Sequence, residues 1–158
     1  MRNSILIYLF ALFYNSFAHA NYCMNDDVLI AGCQINGKDF KEAYICSAKN
    51  GKTGYYFFKK DKKIEMSVQF NKNKKLQRWL DKGTYTTYFG FLNGDYAYII
   101  GVPEENFDAK AFLNVKKNNT YLMARECNSN SFGDKENKGD FIEEVSDNIV
   151  LSKKSIFP

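Results

Sequence analysis

The segment Thr84–Val102 reads TYTTYFGFLNGDYAYIIGV, and its central Asn93-Gly94 pair decides the fold class. Asn-Gly between two alternating apolar runs is the strongest short-range signal for a β-hairpin, because both residues tolerate positive φ. Alternation places one set of residues on a single face of each strand: Tyr85, Thr87, Phe89 and Phe91 in the first, and Tyr96, Tyr98, Ile100 and Val102 in the second. A loop at 93–94 then pairs Phe91 with Tyr96, Phe89 with Tyr98, Thr87 with Ile100 and Tyr85 with Val102. The stretch predicts an antiparallel hairpin whose register is fixed by its apolar face.

The same period of two recurs on both sides of this hairpin. Lys63–Phe70 alternates in the same way, and Asn36-Gly37, Asn50-Gly51 and Asn118-Asn119 mark further turns. We therefore predict an all-β fold, an antiparallel meander of about eight strands that forms a small barrel or sandwich. The predicted strands span 29–35, 39–46, 53–59, 63–70, 84–92, 95–102, 109–116 and 120–126.

Two segments depart from this pattern. Lys74–Lys82 carries Leu76, Trp79 and Leu80 at helical spacing, which predicts a short helical insert. After Cys127 the chain is polar, and the following stretch 141–157 is amphipathic. A helix there would place Phe141, Val145 and Ile149 on one face, and a strand is the open alternative. We accordingly divide the mature chain into a β domain at 21–127 and a polar linker with an amphipathic C-terminal extension at 128–158.

The first twenty residues have the pattern of a secretory signal peptide. An apolar run at 5–13 follows Arg2 and precedes Ala18-His19-Ala20, the small-residue triplet that signal peptidase requires. A transmembrane anchor is the alternative, but the run is about half of the roughly 20 residues that cross a bilayer. The residues before Cys23 are not the small-residue box that lipid attachment uses. We predict a cleaved signal peptide at 1–20 and a mature chain that does not insert into a membrane.

Cleavage after Ala20 removes the only histidine, His19, and leaves 138 of the 158 residues. Without histidine, a Ser-His-Asp or Cys-His catalytic arrangement is excluded. The carboxylate pairs Asp26-Asp27 and Glu104-Glu105 lie in predicted loops, where adjacent carboxylates point apart, so we interpret them as surface charge. The chain has no glycine-rich phosphate loop and no metal-ligand spacing. We predict a protein that is not an enzyme and has no catalytic residue, metal site or cofactor.

The mature chain is mildly basic. Removing Arg2 from the 22 Lys and Arg leaves 21, against 18 Asp and Glu. These charges are spread along the sequence, whereas nucleic-acid recognition uses a clustered basic patch. We therefore predict no nucleic-acid partner.

All four cysteines lie in the mature chain, and an even number in a secreted protein indicates disulfides. Zinc is the competing interpretation, but the paired spacings that it prefers are absent. In an antiparallel meander that closes on itself, the last strand ends beside the first, which brings Cys127 near Cys33. Cys46 ends the second strand at the same end, where the segment with Cys23 must pass. We predict Cys33–Cys127 and Cys23–Cys46 among the three possible connectivities.

Aromatic residues make up 16% of the sequence. In the run 55–58, YYFF, alternation sends two aromatic side chains to each face, so one pair must face outward. Outward tyrosine on a rigid sheet is typical of protein-binding surfaces. We predict partner-binding anchors at Tyr56, Phe58 and Tyr88, with Lys60, Lys62 and Lys63 steering an acidic partner. A glycan-binding platform would use the same side chains.

Three stretches carry a resemblance to known proteins: 33–38 (CQINGK), 55–66 (YYFF followed by KIEM) and 91–98 (FLNGDYAY). They resemble small secreted β-barrel proteins of Gram-negative bacteria without an assigned function. More distantly, the layout is similar to the membrane-bound lysozyme inhibitors of C type, which have a signal peptide and cysteines early and late in a barrel. The resemblance covers about 33–127 and carries over no inhibitory residue.

The signal peptide together with the resemblance to proteins of Gram-negative bacteria predicts a periplasmic location. The absence of catalytic, metal and phosphate motifs, together with outward aromatic side chains, predicts a protein partner. We predict a non-catalytic protein that binds and neutralises a cell-wall-active or other toxic enzyme, as an immunity protein or a lysozyme-type inhibitor. The alternative is an envelope module that binds glycan or peptidoglycan.

Overall fold

The structure is a computed structural model that describes residues 22–104, 108–130 and 132–158. The predicted signal peptide and its cleavage site lie outside these residues. Within them the protein is all-β, as predicted, with ten strands and one short helix.

Four strands form an antiparallel sheet in chain order. They are β1 (Val28–Ile35), β2 (Lys41–Ser47), β3 (Gly54–Lys60) and β4 (Lys63–Phe70). The β1–β2 ladder contains a register shift between Leu29 and Ala31. The β3–β4 ladder contains another between Phe58 and Lys59. Such bulges bend a strand and increase its twist, which helps this sheet to curve over the second one.

Six strands form the second sheet, in the order β10-β5-β6-β7-β8-β9. They are β5 (Leu76–Asp81), β6 (Thr86–Asn93), β7 (Tyr96–Pro103), β8 (Lys110–Lys117), β9 (Thr120–Asn130) and β10 (Ile142–Glu144). All neighbours are antiparallel except β10, which lies parallel to β5. In the described part of the chain the ladders end in two separate sheets, so the strands do not close into one hydrogen-bonded barrel.

The eight predicted strands are all present, but the helical insert is wrong. Residues 76–81 form β5, with Leu76 in the core between the sheets and Trp79 in a different cluster on the outer face. A strand that is covered on both faces carries apolar residues at odd and even positions, so its pattern no longer shows a period of two. In β5 these positions coincide with helical spacing.

The β6–β7 hairpin has both predicted faces but a different register. The ladder pairs Asn93 with Tyr96 and Phe91 with Tyr98, which makes Gly94 and Asp95 the loop residues. Gly94 alone of the two has a positive φ, of 60°. Glycine in the first central position with positive φ is the pattern of a type II′ turn. The predicted pairs Phe91–Tyr96, Phe89–Tyr98, Thr87–Ile100 and Tyr85–Val102 are therefore wrong, although the shift keeps each residue from 87 onward on its predicted face.

The two sheets share one core, here called the inner core. Both predicted disulfides are confirmed: Cys33–Cys127 joins β1 to β9 inside the inner core, and Cys23–Cys46 ties the N-terminal segment to β2. The inner core consists of Ile30, Ala31, Cys33, Ala43, Ile45, Tyr56, Val68, Phe70, Leu76, Phe89, Phe91, Ile100, Val102, Ala111, Leu113, Cys127 and Phe141.

The C-terminal segment is part of the same packed unit. Phe141 is fully buried in the inner core, and the backbone amide of Leu76 donates to its carbonyl at 2.9 Å. The stretch 141–157, for which the sequence left both a helix and a strand open, contains one of each: β10 is a strand, and α1 spans Asp147–Leu151. A continuous helical face through Phe141, Val145 and Ile149 is not formed, and Ile149 is exposed.

The outer face of the six-stranded sheet is covered by the last residues of the chain. This outer cluster consists of Trp79, Tyr88, Ala97, Ile99, Val150, Ile156 and Phe157. The indole Nε1 of Trp79 donates to Asp147 Oδ1 at 2.9 Å, and the buried Lys116 Nζ donates to the carbonyl of Ile156 at 3.0 Å. Gly90 permits the close approach, since a Cβ there would lie 2.7 Å from Ile156 Cδ1.

Candidate functional site

The predicted exposure of Tyr56 and Tyr88 is wrong, although Tyr88 does lie on the outer face of its sheet. Tyr56 is 1% exposed and faces the inner core, while Tyr88 is 8% exposed and lies under the C-terminal segment. In the run 55–58, Tyr56 and Phe58 face inward and Tyr55 and Phe57 face outward, where Tyr22 and Phe132 cover them. Sequence alternation assigned the faces, but it carried no information on which faces other segments cover.

Phe58 and the three predicted lysines lie together at one end of the four-stranded sheet. Phe58 is partly buried against the inner core, and Lys62 and Lys63 are exposed in and beside the β3–β4 turn. Lys60 pairs with Asp39 at 3.1 Å, and this hydrogen bond raises the pKa of the Lys60 ammonium. A partner that recruits Lys60 must therefore compete with Asp39.

A cleft opens between the two sheets next to these residues. It has a volume of about 270 Å³ and is lined by Tyr56, Phe58, Glu65, Met66, Tyr98, Leu113, Val115 and Met123. Asn93 Nδ2 donates to Met66 Sδ at 3.5 Å, which places the β6–β7 turn against β4 at this end. The cleft is therefore bordered by the β3–β4 and β6–β7 hairpins, with β8 and β9 along one side.

A second feature lies at the opposite end of the six-stranded sheet, in the loop 82–85 between β5 and β6. Tyr85 is 63% exposed and has a φ of 47°. A bulky residue in the left-handed region is a genuine backbone outlier, and such outliers concentrate at binding and active sites. The prediction that Tyr85 shares the inner face with Phe89 is wrong, because the positive φ turns the chain before β6 begins at Thr86.

Hydrogen bonds hold this loop in place. Asp81 accepts from the Gly83 amide at 2.9 Å through Oδ1 and from Thr84 Oγ1 at 2.7 Å through Oδ2. The Glu104 amide donates to the Tyr85 carbonyl at 3.1 Å, and Glu104 pairs with Lys135 at 2.5 Å. The loop presents its tyrosine from a fixed backbone.

In the acidic pair Asp26-Asp27, Asp26 is exposed and Asp27 is half-buried. Asp26 forms an ion pair with Lys49 at 3.5 Å, with both side chains mostly exposed. Among the residues that the structure describes, no group of three or more His, Cys, Asp or Glu side chains is placed to hold a metal ion. Glu105 lies outside the described residues.

Buried tyrosines predict that stability falls in alkaline solution. Burial raises the pKa of Tyr44, Tyr56 and Tyr88 above the ordinary value of 10.0. Above about pH 10 the unfolded chain releases phenolic protons that the folded chain retains, and this difference lowers the free energy of unfolding. The contribution of these tyrosines to stability is therefore complete below pH 10 and is lost as the pH rises through the folded-state pKa values. We expect urea denaturation to give a constant unfolding free energy between about pH 7 and 9 and a declining one above about pH 10. A profile that stays flat to about pH 12 would contradict this assignment.

No family model matches the chain, and neither a curated protein nor a solved structure matches it. None of the helices in the described residues has the length and apolar character needed to span a bilayer.

Sequence reasoning missed the loop at Tyr85 because it assigned this residue to a strand. The signal that was present is Asp81-Lys82-Gly83-Thr84, a cluster of turn-forming residues directly before it.

Proposed function

We propose that the protein is a non-catalytic, secreted binding protein of the periplasm that neutralises a cell-wall-active or other toxic enzyme. In this proposal the two sheets act as a small disulfide-linked sandwich scaffold, and the loop 82–85 is the contact element. The observation that carries the proposal is the exposed, conformationally fixed Tyr85.

Tyrosine is enriched among the residues that dominate protein–protein binding energy. A side chain held ready on a rigid loop loses little entropy on binding, and such preorganisation increases affinity. The hydrogen bonds from Gly83 and Thr84 to Asp81 provide this rigidity. Retaining a tyrosine with φ of 47° costs about 1–3 kcal/mol, and a contact role explains why a residue other than glycine occupies the position.

The proposed partner class is supported by the sequence resemblance and by two disulfides, which are compatible with secretion. The charged residues beside Tyr85 have both signs: Lys82 is exposed in the loop, and Glu104 and Lys135 form a pair next to it. We therefore expect a partner surface of mixed polarity with a recess for one aromatic ring.

The test is capture followed by inhibition. The oxidised mature protein is immobilised and exposed to periplasmic extract, and in parallel to purified C-type lysozyme. Each captured hydrolase is then assayed for cell-wall hydrolysis with increasing amounts of the free protein. The proposal expects a stoichiometric complex that blocks hydrolysis, whereas retention on insoluble peptidoglycan without inhibition would support the glycan-binding alternative instead.

Replacing Tyr85 by alanine is expected to weaken this complex by about 2–4 kcal/mol, or roughly 30-fold or more in Kd. The fold should be unaffected, because the ring is exposed and because alanine, like tyrosine, is an L-residue with a Cβ at this backbone conformation. Calorimetric titration against the captured enzyme measures the change. The matched control is Tyr121→Ala at another exposed tyrosine, 47% exposed at the start of β9. Equal losses at Tyr85 and Tyr121, or none at Tyr85, would contradict the assignment of this loop.

A further inference from the structure

We propose that the cleft between the two sheets binds a small neutral molecule that has an apolar body and one hydrogen-bond acceptor. This site lies at the opposite end of the six-stranded sheet from Tyr85. It therefore goes beyond the proposed function and does not depend on it.

The walls of the cleft come from both sheets. Tyr56 and Phe58 of β3 face Tyr98 of β7 and Leu113 of β8, and Met123 of β9 closes one side. The volume of about 270 Å³ is roughly twice that of a protein cavity that holds benzene. Ligand sites are common at the mouths of β structures, where apolar walls carry a few polar groups. The space suits one aromatic or aliphatic ring with a short substituent.

The polar group of this site is the Tyr56 hydroxyl. It is buried and has no hydrogen-bond partner among the described residues. A buried donor without a partner is unfavourable, and the large majority of such groups in folded proteins are paired. Tyr56 is itself one of the residues that line the cleft. The hydroxyl itself has less than 1 Å² of exposed surface. A ligand oxygen therefore reaches it only when side chains that line the cleft move aside, and it would then supply the partner that the protein does not.

The chemistry of the walls selects a neutral ligand. Burial raises the pKa of Tyr56, so its hydroxyl remains a proton donor and requires an acceptor. A carboxylate is disfavoured, because transfer of a charge into an apolar cleft is costly and Glu65 at the cleft would repel it. Ketone, ester and amide oxygens meet both conditions. Met66 and Met123 have flexible, polarisable side chains that adapt to the shape of a ligand.

Three probes of similar size test this selection: acetophenone, which has a neutral acceptor; ethylbenzene, which has none; and benzoate, which is charged. Affinities for the full oxidised protein are measured by NMR titration. We expect acetophenone to bind about tenfold more tightly than ethylbenzene, the effect of one hydrogen bond, and benzoate to bind weakest. Shift changes should map to Met66, Val115 and Met123.

The deciding variant is Tyr56→Phe, which keeps the ring and removes only the unpaired hydroxyl. It should fold at least as stably as the wild type, because it removes an unsatisfied buried group. We expect it to lose the preference for acetophenone over ethylbenzene and to retain ethylbenzene binding. The inference is overturned if the preference persists in Tyr56→Phe, if benzoate binds best, or if none of the three probes shifts the cleft resonances at millimolar concentration.

Discussion

Replacing Cys33 and Cys127 together by alanine is expected to lower the free energy of unfolding by about 4 kcal/mol. The two cysteines are 94 residues apart in sequence, and both are buried, at 0% and 1% exposure. A link across so long a loop strongly restricts the unfolded chain, and the estimated effect grows with the length of the loop. This disulfide is also the covalent link between β1 and β9, one strand from each sheet.

Urea denaturation of the double variant measures this loss. The matched comparison is the double replacement of Cys23 and Cys46, which are 23 residues apart. The shorter loop is expected to give a smaller loss, about 3 kcal/mol. If the Cys23 and Cys46 variant is the less stable of the two, loop length does not govern the effect, and the packing of Tyr22 and Phe132 around that disulfide is the better explanation.

Phe141→Ala is expected to cost about 3–5 kcal/mol, although this residue lies in the segment after the last predicted strand. Its ring is fully buried and stacks on Phe70 with centroids 6.5 Å apart. The absence of a side chain at Gly54 leaves room for this ring, since a Cβ on Gly54 would lie 2.2 Å from Phe141 Cε2. Alanine at 141 would leave a cavity between β3, β4 and β5 that these strands cannot fill without moving.

Thermal and urea unfolding of Phe141→Ala test this expectation. Leu151→Ala is the control from the same segment, because Leu151 is 79% exposed and its truncation should change stability by less than about 0.5 kcal/mol. A loss below about 1 kcal/mol for Phe141→Ala would mean that the C-terminal segment is not a structural part of the inner core.

The alternation of apolar and polar residues predicted the strands in which each face lies in a single environment. The β6–β7 faces and both disulfides follow from alternation and from the order of strands. The β5 strand did not, because its apolar residues Leu76, Trp79 and Leu80 coincide with helical spacing. Its two faces enter the same two clusters as those of β6 and β7. Tyr88 lies on its predicted face but is covered there, and Tyr56 faces the inner core, because the coverage of a sheet face depends on segments distant in sequence.

The candidate sites were less predictable than the fold. Tyr85 depends on a single backbone angle, and tyrosine, unlike asparagine or aspartate, is not a residue type that marks a positive φ in a sequence. The cleft depends on the spacing between two sheets at one end, which alternation does not define. Phe58 was selected from the sequence and does line the cleft, but from the inner face.

The parallel pairing of β10 with β5 also affects the order in which the molecule assembles. Arg78 Nη1 donates to Glu144 Oε1 at 2.7 Å across a separation of 66 residues. Contacts between such distant residues are formed slowly, because a long loop must close first. A ribosome-bound chain that has not yet emerged beyond β9 leaves Trp79 and Tyr88 without their cover and the inner core without Phe141. Folding therefore finishes only when the whole chain is free to pack.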